Sequence, residues 1–183
     1  MTRFEKVVTP VLATGVLGAG SMIAAAHGIA GPRVNLSPSV PVGLYMYVPG
    51  AVHRSDFAQA CLPDALARYA YAKHIIFTGG ACANGSEPLV KVVAGLPGDV
   101  VTVARDIKID GRPWPLSTIR NVDSLGRRVD LRLARGTFVV QPNHVLLLGL
   151  NPRSWDGRYF GALPSSAITG RWFPILVNRK VII

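Results

Sequence analysis

The sequence predicts a mainly β domain with one short helix, preceded by an N-terminal membrane-spanning helix or signal segment. Three observations carry this prediction. Short β-branched runs punctuated by turn residues recur through the chain, a single stretch shows helical apolar spacing, and the 24 residues from Val7 to Ala30 contain no Asp, Glu, Lys or Arg. The chain has 183 residues, 49% hydrophobic and 16% charged. That is enough for one core, and too apolar for intrinsic disorder.

Val7 to Ala30 as a helix extends ~36 Å, enough to cross a hydrocarbon layer of roughly 30 Å. Arg3 and Lys6 precede it, so the positive-inside rule leaves the N-terminus in the cytoplasm and exports the remainder of the chain. A cleaved secretory signal is the competing reading, with small residues at Ala24-Ala25-Ala26 before His27. A buried helix of a cytosolic protein is a third, opposed by four glycines between Gly15 and Gly28. The first two readings divide the chain into an N-terminal signal or anchor, 1–31, and an exported domain, 32–183. They place the domain in the periplasm of a bacterium, held at the inner membrane if the segment is retained.

Within that domain, strands are expected at Val42 to Val48, Leu89 to Ala94, Val100 to Ala104, Thr137 to Val140 and His144 to Leu148. Asp110-Gly111, between Ile107 to Ile109 and Arg112 to Trp114, is a hairpin signal, because both central positions of a type I′ turn need positive φ. Pro63 to Lys73 is the helical stretch, with Pro63 and Asp64 in its first turn and apolar Ala65, Leu66, Tyr69 and Ala70. Cys61 and Cys82 bracket it. An oxidising compartment favours a disulfide between them, which closes a loop of about twenty residues; two unrelated buried thiols are the alternative.

The net charge of +10 comes from 20 basic and 10 acidic residues, and fifteen of the twenty are Arg. Nucleic acid and a membrane surface are the obvious partners of such a chain. Single-strand binding wants aromatics interleaved with the basic residues, and the densest basic stretch, Arg127-Arg128 to Arg135, contains none. No two of the two Cys and four His lie within four positions of each other, so no local metal-ligand spacing exists and no metal or other cofactor is expected.

Three segments depart from an ordinary β protein. Lys91 interrupts the apolar run Leu89-Val90-Lys91-Val92-Val93. It is either at an exposed edge or in a dry site where the ammonium form is disfavoured. Asn35-Leu36-Ser37-Pro38-Ser39-Val40-Pro41 is a loop in which two prolines fix φ on either side of Ser39. It either preorganises its serine hydroxyls or is an ordinary solvated loop. Ser154-Trp155-Asp156-Gly157-Arg158-Tyr159-Phe160-Gly161 is a polar turn with clustered aromatics, in which Asp156 and Arg158 could be a surface ion pair.

In this order the three segments resemble the membrane-bound signal peptidases, and within them the TraF-type peptidases of conjugative transfer systems. Lys91-Val92-Val93-Ala94-Gly95-Leu96-Pro97-Gly98-Asp99 is the most specific match; Ser39 followed by Val40, where housekeeping members usually carry Met, favours the conjugative branch. The resemblance implies a signal-peptidase-like fold and a serine-lysine dyad, Ser39 as nucleophile and Lys91 as general base. The chemistry explains the residue types: a serine hydroxyl needs a base, and lysine serves near neutral pH only when desolvation keeps its amine uncharged. It further implies an oxyanion site made by the Ser39 backbone N–H and the Ser37 hydroxyl, with Pro38 costing one donor between them. Ser154 matches the hydroxyl that orients the lysine amine, and Asp156 with Arg158 matches a support pair. Two departures stand out. Gly157 replaces the usual Ser of Asp-Ser-Arg-Tyr, and Gly149-Leu150-Asn151 replaces Gly-Asp-Asn. A glycine beside Asp156 is expected to loosen its geometry.

The implied activity is removal of a leader from a membrane-inserted precursor, such as the conjugative pilin subunit, with ring closure of the trimmed pilin as a variant. Ser39 follows Ala30 by nine residues, a reach of at most about 32 Å, so it works near the bilayer. Without residues 1–30 the domain keeps 18 basic and 9 acidic residues, which suits anionic lipid headgroups, and nucleic acid is not expected as a partner. The alternatives are a housekeeping-type signal peptidase, and a non-enzymatic basic envelope or nucleic-acid-binding component in which Ser39 and Lys91 are dispensable.

Overall fold

The computed structural model describes residues 29–122, 126–129 and 135–178. The span Val7 to Ala30, expected as anchor or signal, falls almost entirely outside them. Among the described residues no helix is long and apolar enough to cross a membrane.

Two antiparallel sheets make up the domain. The larger combines β1 (Gly31–Asn35), β2 (Gly43–Pro49), β3 (Phe57–Ala60), β4 (Leu89–Gly95), β9 (His144–Leu148), β10 (Leu163–Pro164) and β11 (Ile168–Val177), in the order β1-β2-β11-β3-β4-β9-β10. The smaller combines β5 (Val100–Val103), β6 (Ile107–Ile109), β7 (Arg112–Pro113) and β8 (Gly136–Val139), in the order β7-β6-β5-β8. The expected helix is α1 (Asp64–Ala72), begun by Pro63; a one-turn helix α2 (Gly157–Phe160) was not expected. The mainly β expectation holds, and each expected strand lies within a residue of its predicted bounds. Asp110 and Gly111 have φ of 49° and 76° and join β6 to β7, as the hairpin signal requires.

The chemistry of β9 explains its uninterrupted apolar sequence. Val145 and Leu147 point into a core beneath α1 with Ala58, Ala60, Ala67, Ala70 and Val93. Leu146 and Leu148 point the other way, into a core with Val101, Val103 and Ile107 of the smaller sheet and Val140 just after β8. A strand buried on both faces has no polar alternation to show. The strand thus joins the two cores, and residues 149–160, which come directly after it, start from a fixed base.

β11 is the longest strand and has no counterpart among the expected ones. It contains Pro174, which argues against an interior strand because it cannot donate to a ladder. The conflict is resolved by register. β3 pairs only with Ile168 to Trp172, whereas β2 pairs on to Val177, so Pro174 sits where β11 has a partner on one side, next to a register shift before Leu176.

Cys61 and Cys82 form the disulfide, with Cα atoms 5.6 Å apart. The bridge closes the excursion carrying α1 just after β3 and seven residues before β4, so it fixes where β4 re-enters the sheet. In the chain-entropy model a loop of this size contributes roughly 3 kcal/mol. The Cys61→Ala/Cys82→Ala variant is therefore expected to melt about 6–12 °C lower in thermal unfolding followed by circular dichroism. An unchanged midpoint would show that the excursion is held by packing alone.

Candidate functional site

Three backbone segments converge around Ser39. The loop between β1 and β2 carries Ser37 and Ser39, β4 carries Lys91, and the turn after β9 carries Ser154 and Asp156. Asn35, the last residue of β1, organises the first of these. Its side-chain amide donates to the carbonyls of Ser37, Val40 and Pro41, and its Oδ1 accepts from the Ser37 N–H. Tyr45 is fully buried and its hydroxyl donates to the Pro41 carbonyl at 2.5 Å. Burial pushes its phenol up to about 12, so it stays a donor. With two prolines removing alternative conformations, the loop is fixed from within. It is also tied to the turn after β9, because the Leu150 N–H donates to the Ser39 carbonyl at 2.7 Å.

Lys91 is 5% exposed and its Nζ lies 2.5 Å from Ser39 Oγ. An ammonium has three protons to donate. Among the described residues this hydroxyl is the one hydrogen-bond partner Lys91 Nζ has. Burial lowers its pKa to about 8, the nearby Asp156 carboxylate opposing the shift and the Arg158 guanidinium adding to it. At pH 7 about a tenth of such amines are uncharged, against a negligible fraction for a lysine in water.

Asp156 and Arg158 are fully buried and are no surface pair. Asp156 Oδ1 accepts from Arg158 Nε at 2.8 Å and Oδ2 from Arg158 Nη2 at 3.0 Å, the bidentate fork. The backbone N–H groups of Gly149 and Arg158 complete the carboxylate's partners at 2.7 and 3.1 Å. Arg158 also donates to the carbonyls of Leu116 and Gly149.

The expectation that Gly157 loosens Asp156 is corrected by this packing. A Cβ on residue 157 would lie 2.6 Å from Leu146 Cδ1 and 2.7 Å from the Leu147 carbonyl oxygen, so glycine there permits close contact with β9. Ser154 also differs from expectation. Its hydroxyl, 3.3 Å from Ser39 Oγ, touches the serine and makes no hydrogen bond with the Lys91 amine. Gly149 leaves the room that this hydroxyl occupies: a Cβ there would lie 2.2 Å from Ser154 Oγ. Ser37 accepts the Ser39 backbone N–H at 3.3 Å, so the two groups expected around an oxyanion are side by side.

A family model described as signal peptidase, peptidase S26, matches residues 3–177. The chain belongs to that family. It is 35% identical over 167 residues to the conjugal transfer protein TraF of Agrobacterium tumefaciens (strain 15955), covering 88% of this chain and 92% of that one. It is 34% identical over 163 residues to a plasmid transfer protein TraF of Escherichia coli, covering 86% and 90%. Among solved structures, a signal peptidase I from Enterococcus faecalis V583 superposes with a TM-score of 0.38 and 19% identity, covering 68% of this chain and 98% of that one.

Two residues of this candidate site, Asn35 and Gly149, are given no role by the sequence alone. Asn35 has a visible signal: Pro38 and Pro41 lack N–H donors, so a donor-rich side chain beside them has carbonyls to serve. Gly149 has none, because its part depends on contacts across the turn.

Burying Lys91 has a cost to stability with a definite pH dependence. The folded pKa of about 8 lies below the ordinary 10.5. Below pH 8 both folded and unfolded chains hold the proton and the full cost, about 3 kcal/mol, is present. Between pH 8 and 10.5 the unfolded chain binds more proton than the folded one, so stability rises with pH. Lys91→Met is expected to unfold at higher urea than wild type at pH 7, with the gap closing toward pH 10.5. A pH-independent gap, or a less stable variant at pH 7, would contradict the assignment of a dry, charge-disfavouring site.

Proposed function

We propose that the chain is a membrane-associated serine endopeptidase that removes the leader from an exported precursor, the conjugative pilin subunit, through Ser39 and Lys91. The observation that supports this most is the 2.5 Å contact between Lys91 Nζ and Ser39 Oγ in a buried setting. In the resting form the ammonium donates to Ser39 Oγ; the uncharged amine accepts the hydroxyl proton instead. Ser39 Oγ then bonds to the scissile carbonyl carbon while its proton passes to Lys91 Nζ. The developing oxyanion takes the place of the weak bond between the Ser39 N–H and Ser37 Oγ, receiving a hydrogen bond from both. When the tetrahedral species collapses, the C–N bond breaks and the proton on Lys91 goes to the leaving amine. An acyl-enzyme on Ser39 remains.

Water attacks that ester in the second half, giving its proton to Lys91, and Ser39 leaves with a proton returned to it. An amine in place of water gives a new peptide bond by the same steps, which is ring closure when the amine is the pilin's own N-terminus. Ser154 keeps Ser39 Oγ in line, and the Asp156 to Arg158 pair holds Ser154's turn.

The conjugative substrate is supported by the names of the relatives, conjugal and plasmid transfer proteins that match most of this chain. The inner-membrane and periplasmic setting is supported by the uncharged N-terminal stretch and by the disulfide, which suits an oxidising compartment. Contact with anionic lipid fits the domain's positive charge.

Co-expression with a pilin precursor tests the reading. Ser39→Ala and Lys91→Ala are each expected to abolish appearance of the shortened product on a gel while the protein still accumulates. Ser154→Ala is expected to slow it by up to about 100-fold, the order of loss when a reacting group is displaced by about 1 Å. Undiminished processing by Ser39→Ala would sink the proposal.

A further inference from the structure

A cavity of about 220 Å³ opens between α1 and residues 120, 122 and 127–129, beside the turn that carries Arg153 and Trp155. Its walls include Lys73, Arg120, Arg128 and Arg153, with Arg127 alongside, and no Asp or Glu among the described residues. Arg127 is already used, donating from Nη2 to the Lys73 carbonyl at 3.0 Å. The others form no ion pair with any described carboxylate. Cations gathered around one concavity repel one another, and the repulsion is relieved by a bound anion.

Two further observations distinguish this from a solvated basic face. Tyr69 and Trp155 stack across one wall, ring centroids 6.1 Å apart, and Lys73 Nζ lies 5.9 Å from the Tyr69 ring, so the cations border a rigid apolar surface. The turn alternates: Ser154, Asp156 and Arg158 face the site around Ser39, while Arg153, Trp155 and Tyr159 line the cavity. At about 220 Å³ it falls below the roughly 300 Å³ where drug-sized pockets begin, a size for a small anionic group with a short polar tail.

We infer that this cavity is a binding site for a phosphate group, carried by a phospholipid headgroup or by a small soluble phosphate. Arginine forks and a lysine supply the charge, and the aromatic wall receives the headgroup's carbon atoms.

The full chain in non-ionic detergent, with its three tryptophans giving three indole N–H signals, reads this out by NMR; Trp155→Phe identifies the relevant one. Inorganic phosphate, dihexanoyl phosphatidylglycerol and dihexanoyl phosphatidylcholine are titrated in turn. A saturable shift of the Trp155 signal is expected, weakened about tenfold or more in Arg120→Gln/Arg153→Gln and retained in Lys108→Gln/Arg112→Gln, which removes the same charge from the exposed β6–β7 hairpin. Saturation by inorganic phosphate supports the site with a soluble source; saturation by phosphatidylglycerol alone supports it with a lipid source. No saturable shift with any of the three, or equal weakening in both double variants, overturns it.

Discussion

The rest of the structure depends on keeping one lysine amine dry beside one serine hydroxyl. A lysine in water holds its proton far above neutral pH, and the only lever on Lys91 strong enough to bring it near 8 is removal of solvent. Desolvation requires that β4 run through the interior, flanked by β3 and β9 and covered on both faces. It also requires that the neighbouring charges nearly cancel. Asp156 alone would hold the proton on Lys91; Arg158, forked onto the same carboxylate, offsets it. The buried pair is thus the condition for having a carboxylate near the amine at all.

Buried ion pairs contribute little net stability, since desolvation consumes most of what they gain. Here the pair acts by direction. Its six contacts pull the strand-end residue Gly149, the turn residues Asp156 and Arg158, and the distant Leu116 carbonyl to one point. Two glycines make that closure possible by omitting a side chain: Gly149 leaves space for Ser154, and Gly157 lets the helix α2 press on β9. The Leu150 N–H to the Ser39 carbonyl then passes the same rigidity to the serine loop. Charge compensation and positioning are therefore a single arrangement.

Much of this was legible in the sequence, and what was legible had local causes. β9 and β4 announced themselves because strands buried on both faces must be apolar throughout, and Lys91 was visible as the single polar interruption. Asp110-Gly111 specified a hairpin by φ alone, and Pro63 began a helix. What stayed hidden depended on contacts distant in sequence. β11 was obscured by Pro174, which is tolerated only because β3 ends before reaching it. The burial of Asp156 and Arg158 was indistinguishable from a surface pair, and Gly157 read as a source of looseness when its effect is tight packing. The serine loop's prolines were readable and their missing N–H groups hint at a donor-rich neighbour, but which carbonyls the Asn35 side chain serves was not readable.

The most direct test is the titration of Lys91 itself. The chain has only five lysines, so labelling the lysine Cε with ¹³C gives a spectrum in which Lys91→Arg identifies one signal. The predicted midpoint is about 8, with the remaining lysines near their ordinary value of about 10.4. A Lys91 midpoint at or above 10 would contradict the claim that burial in this fold disfavours the charged form of its amine.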